Sequence, residues 1–130
     1  MPWSYAIDAE RDLLLVKATG VFSDLDLQAM RTMTTRDPRF HPGIRALFDY
    51  LGVSQSAVTY TAVVSWPMGQ LYGPASRRAI LIGGGLHEKI AAVFRDSIET
   101  DRHGRVLVTR SRDEAVAWLN EGVSPEKWME

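Results

Sequence analysis

Apolar positions fall into short extended runs and longer runs with helical spacing, and the two kinds alternate along the chain. Residues 5–9 and 13–19 read as two strands joined by the polar Glu10-Arg11-Asp12, and a connection that short requires an antiparallel hairpin. Ser23, followed by Asp24 and Asp26, has the features of a helix start with negative charge at the positive end of the dipole. Leu25, Ala29 and Met33 recur at i+4 and predict the buried stripe of that helix, which Asp37-Pro38 ends. "IRALFDY", at 44–50, is short, apolar and flanked by Gly43 and Gly52, as a buried strand would be.

The second half repeats the alternation. Ala79, Ile80, Leu81 and Ile82, closed by Gly83, Gly84 and Gly85, predict a central strand buried on both faces of a parallel sheet. Leu86, Ile90, Val93, Phe94 and Ile98 follow helical spacing, and after the polar "TDRHGR" the run 106–108 makes a last strand. Ser111 and Glu114 match a capping box, Ala115, Trp118 and Leu119 share a face, and Gly122 stands where a helix stop belongs. With a further helix over 56–66 ended by Pro67, the order is β-β-α-β-α-β-α-β-α. This predicts an α/β fold with a single mixed, mostly parallel sheet of about five strands.

At 130 residues the chain fits one domain, 1–130, large enough to bury a core without crosslinks. It contains no cysteine, which excludes disulfides, thiolate metal sites and a cysteine nucleophile and points to a reducing cytoplasm. Fifteen basic and 16 acidic residues give a net charge of −1 and no basic footprint for nucleic acid. "MPWSYAIDAERD" lacks the basic and apolar regions of a secretion signal, so the expected location is cytoplasmic.

The hairpin ending in Gly20, the following helix, "DPRFHPG", a strand ending in Asp49 and the terminal "RDEAVAWL" together resemble the SpoIIAA-like, or STAS-like, proteins over nearly the whole chain. The resemblance implies a non-enzymatic regulatory or protein-binding module. Anti-sigma-factor antagonists of that group dock on a kinase-like partner and are switched by phosphorylation of a Ser or Thr after the third strand. Here the switch signature is missing: extension from Asp49 through Gly52-Val53 reaches Ala57, Val58 and Thr59, with no Asp-Ser pair. Ser54, Ser56 and Thr59 are the hydroxyls left near the expected helix start, as candidate control points or as local caps.

From Tyr50 to Ser76 the chain has no Asp, Glu, Lys or Arg. The run is too often interrupted by Gly, Ser, Thr, Gln and Pro to span a membrane. An ordinary surface helix carries charge on its outer face, so this segment is expected to be covered. Tyr60, Trp66, Met68, Leu71 and Tyr72 are candidate interface residues of a homodimer; packing over the sheet by the same chain and the wall of a pocket are the alternatives.

Chemical motifs are few. Asp49 and the three glycines 83–85 would gather at the C-terminal strand ends, where open α/β sheets bind ligands, so Asp49, Gly83, Gly84 and Gly85 are the candidate ligand residues of a small-ligand or lipid-binding protein or an uncharacterised enzyme. A tight strand-to-helix turn explains the glycines equally well. His41, His87 and His103 lack metal-ligand spacing, and no nucleophile elbow or phosphate loop is present, so neither a metal nor a cofactor is expected and no catalytic residue is assigned.

Overall fold

The computed structural model describes residues 3–59, 61, 72, 73, 75–83 and 105–121. They form one five-stranded sheet in the order β1-β2-β3-β4-β5, with β1 Trp3–Asp8, β2 Leu13–Ser23, β3 Arg45–Ala57, β4 Arg77–Ile82 and β5 Arg105–Thr109. β1 pairs antiparallel with β2, and every other pairing is parallel. The sheet is therefore mixed and mostly parallel, as the pattern predicts. Two α-helices lie among the described residues, α1 Asp24–Arg36 and α2 Arg112–Leu119, where the pattern predicts four. The helix expected from Leu86 to Ile98 and the stop at Gly122 lie outside the described residues.

Local chemistry sets the turns. In the hairpin, the Asp8 carboxylate accepts from the N–H groups of Glu10 and Arg11 at 3.1 and 3.2 Å, and Asp12 takes φ +55°, a conformation that Asp tolerates better than most residues. At the start of α1, Ser23 Oγ accepts from Asp26 N–H while the Asp26 carboxylate accepts from Ser23 N–H, a reciprocal cap.

The sheet has two unlike faces. On the first, Leu14, Val16, Ala18, Phe48, Tyr50, Ile80 and Ile82 pack with Leu27 and Met30 of α1. On the second, Leu13, Leu47, Ala79 and Leu81 pack with Ala115 and Leu119 of α2.

Two expectations are corrected here. The stripe that α1 buries is Leu27, Met30, Arg31 and Thr34, and Leu25, Ala29 and Met33 face outward. Both sets have helical spacing. The polar members of the buried set are accommodated: Thr34 Oγ1 donates to the carbonyl of Met30 at 2.9 Å, and Arg31 lies close enough to Tyr50 and Tyr72 to interact electrostatically. Burial pulls the Arg31 guanidinium down to about 10, an effect opposed by Tyr50, Tyr72 and Asp24.

The second correction concerns the third strand. β3 continues to Ala57, so no helix begins at Ser56; β2 runs beside it from Leu13↔Arg45 to Ser23↔Ala57, with register irregularities near Ala18 and Gly20. Gly52 makes this pairing possible, because a Cβ there would lie 2.8 Å from Cγ2 of Thr19.

Candidate functional site

Strand register places side chains of the second face in rows. Ala6, Leu15, Leu47, Ala79 and Leu107 form an apolar row. One step toward the C-terminal ends of the parallel strands, Ser4, Lys17, Asp49, Leu81 and Thr109 form the next, so the three polar side chains Ser4, Lys17 and Asp49 stand side by side on β1, β2 and β3. α2 lies over the β4–β5 side, and among the described residues no helix covers the β1–β3 half of this face. There, Ser4, Ala6, Leu15, Lys17, Leu47, Asp49 and Arg112 line a depression of about 370 Å³.

α2 is held at both ends. Its C-terminal carbonyls accept from arginines of the sheet: Leu119 from Arg45 at 2.7 Å and Trp118 from Arg77 at 2.8 Å. Cations at the negative end of the helix dipole are favourable. The Arg77 guanidinium also lies 5.2 Å from the centre of the Trp118 ring and 2.5 Å from the Glu121 carboxylate. At the N-terminus, Ser111 Oγ accepts from Glu114 N–H at 3.1 Å, while Ser111 N–H donates to Thr109 Oγ1 at 3.1 Å. Only half of the expected capping box is thus used.

Arg112, the first residue of α2, reaches back to the sheet. Its Nη2 lies 2.5 Å from Asp49 Oδ2, and Asp49 Oδ1 accepts from Leu51 N–H at 3.0 Å. Asp49 is buried, whereas the Arg112 side chain is 52% exposed. Lys17, one strand away from Asp49, is exposed and makes no ion pair or hydrogen bond among the described residues. Among the described residues, the depression thus contains one buried carboxylate matched by an arginine and, on the neighbouring strand, one ammonium without a partner. Leu15 and Leu51 are 36% and 40% exposed on the same side of the sheet.

Of the candidate ligand residues, Asp49 borders the depression and Gly83 does not. Gly83 is a close-packing position, since a Cβ on it would lie 2.9 Å from the carbonyl oxygen of Leu51. Gly84 and Gly85 lie outside the described residues. Of the candidate control hydroxyls, Ser54 and Ser56 are on β3 instead of at a helix start, and Thr59 follows the strand, two residues before the helical Thr61. Ser54 is exposed, Ser56 Oγ accepts from Val58 N–H at 3.3 Å, and Thr59 binds the Asp24 carboxylate through both N–H and Oγ1 at 2.8 Å.

The candidate interface set divides. Tyr72 is buried in its own chain: Arg78 lies 4.1 Å from the centre of its ring and Phe40 meets it edge-on at 5.2 Å. Burial pushes its phenol up to about 12. This corrects the interface assignment for Tyr72, whose ring is spent on packing. Tyr60, Trp66, Met68 and Leu71 lie outside the described residues.

Of the polar residues lining the depression, Asp49 is among the candidates that the sequence offers, and Lys17, Ser4 and Arg112 are not. The signal for Lys17 was available, because counting by two from Leu13 and Leu15 places it on their face. Arg112 could not be found that way, since its partner is 63 residues distant in sequence. Among the described residues, no cluster of three or more His, Asp or Glu side chains is arranged to hold a metal, and no helix is long and apolar enough to cross a membrane. No protein-family model matches the chain, and a search of curated proteins finds no match.

Proposed function

We propose that this chain is a non-enzymatic protein-binding module, of the regulatory kind that its resemblance to SpoIIAA-like antagonists implies but without their phosphorylation motif, and that it recognises its partner through the open β1–β3 half of the second sheet face. The observation that carries this reading is Lys17, exposed and without a partner among the described residues, beside the Asp49–Arg112 pair, with exposed Leu15 and Leu51 on the same side. Partly exposed apolar groups with a few polar groups of fixed position are what interface centres use. The charge balance of one carboxylate against two cations favours an acidic partner segment.

The depression supports a second reading, a small anionic ligand whose apolar part rests on Ala6 and Leu15, because its volume of about 370 Å³ falls within the range of ligand pockets. One set of variants separates the readings. A partner protein retained by the native chain should be lost from both Lys17→Glu and Leu15→Asp and kept by Val116→Glu, a change on the exposed side of α2. If instead a panel of small carboxylates raises the melting temperature of the native chain and not of Lys17→Glu, the ligand reading replaces the protein one. Retention of the same partners by all three variants refutes the assignment of this face.

A further inference from the structure

α1 carries a second apolar surface on its outward side. Leu25 is 77% exposed and Met33 46% exposed, with Ala29 exposed midway between them at i, i+4 and i+8. They form one line about 12 Å long on a helix of 13 residues. Scattered exposed leucines are ordinary, but a continuous helical row with a small residue at its centre is the shape that packs against another helix. The charges around the row lie at its ends. Asp24 and Asp26 occupy the first turn and Arg36 the last, and Arg36 is exposed with no ion pair among the described residues.

We infer that α1 is the contact of a symmetric homodimer, in which α1 of a second copy crosses in the antiparallel sense over Ala29. A two-fold axis there sets Leu25 of each copy against Met33 of the other and lets the backbones approach at the alanines. It also brings Arg36 of each copy toward the acidic first turn of its partner and opposes the two helix dipoles. A parallel pairing would set like charges and like dipole ends together, so the charge pattern favours the antiparallel crossing. The contact is separate from the open sheet face and does not depend on the function proposed for it. A single helix pair buries less than the roughly 800 Å² per partner of a standard interface, so the dimer is concentration-dependent.

Sedimentation equilibrium over a dilution series tests this. The native chain should move from 14.6 kDa toward twice that mass as concentration rises, and Leu25→Glu should raise the dissociation constant by about tenfold or more. Because the chain has no cysteine, Ala29→Cys reports the axis directly: it should crosslink on oxidation, and Val116→Cys, exposed on α2, should not. A native chain that stays monomeric at all concentrations overturns the inference. So does a dimer that survives Leu25→Glu, or one in which Ala29→Cys crosslinks no better than Val116→Cys.

Discussion

Breaking the Asp49–Arg112 pair from its two sides should give unequal costs, because its partners are unequally buried. The Asp49 side chain is 12% exposed and the Arg112 side chain 52%. Charges about 4 Å apart attract by roughly 4 kcal/mol at an effective dielectric of about 20 and by about 1 kcal/mol in water. Discounting for the exposed guanidinium and for desolvation of the carboxylate leaves a coupling of about 1–2 kcal/mol, above a surface pair and below a fully buried one. Arg112→Ala strands a buried carboxylate whose one other donor among the described residues is Leu51 N–H, and should cost about 2–3 kcal/mol. That figure is reduced by a few tenths because an arginine in the first turn opposes the helix dipole. Asp49→Asn keeps an oxygen for Leu51 and frees a guanidinium that water can hydrate, so it should cost about 1 kcal/mol. The assay is urea denaturation of both single variants and the double variant. Additivity to within about 0.5 kcal/mol would show that the pair does not hold α2 to the sheet and would refute the reasoning.

Two other stability measurements test the assignments. Tyr72→Ala removes a buried ring packed by Arg78 and Phe40 and should lower unfolding free energy by about 3–5 kcal/mol; a loss under about 1 kcal/mol in urea titration would restore Tyr72 as a surface residue. The Asp37 carboxyl is held well below the usual carboxylate range, first by the Arg39 guanidinium, then by Arg39 N–H, with Tyr5 Oη donating to it at 2.9 Å. A group whose pKa is lower folded than unfolded contributes stability above its unfolded value of about 3.9 and loses it as pH falls through the folded value. Asp37→Asn should therefore be less stable at neutral pH and show a flatter acid limb in urea midpoints taken from pH 6 to pH 2. Parallel limbs for the two proteins would contradict this.

The strands were legible because each is marked twice, by its apolar run and by what bounds it. Leu13 opens its strand after a polar turn, Arg105 follows the polar sequence "TDRHG", and the run 79–82 lies inside β4. β3 was misread at its C-terminal end because Ser54, Gln55 and Ser56 look like the start of a helix when considered alone. Their extended form comes from pairing with β2, a long-range contact that local propensity does not contain. Asp49 stood out as the one carboxylate in the apolar run 44–50, although β3 runs on to Ala57 and places it inside the strand and not at its end. Its environment was not legible, because sheet register sets Lys17 on the neighbouring strand and helix docking brings Arg112 to it from 63 residues away.

α1 shows why a periodicity can be real and its assignment inverted. Two sets of positions in the helix have the spacing of a buried stripe, and the more apolar one, Leu25, Ala29 and Met33, is the one left outside. The azimuth is fixed by connections at the helix ends: the Ser23–Asp26 cap, the two bonds from Thr59 to Asp24, and the Asp37 bonds to Tyr5 and Arg39. Between those anchors the helix turns Leu27 and Met30 to the core and carries Arg31 and Thr34 in with them. Burying an arginine costs free energy that the apolar alternative would not, so the sequence has kept its most apolar row on the outside against the simplest packing solution. A surface maintained under that opposition is better explained by a contact partner than by chance. The antiparallel pairing over Ala29 supplies one without any new residue, which is why the crosslink at that position is the sharper of its two tests.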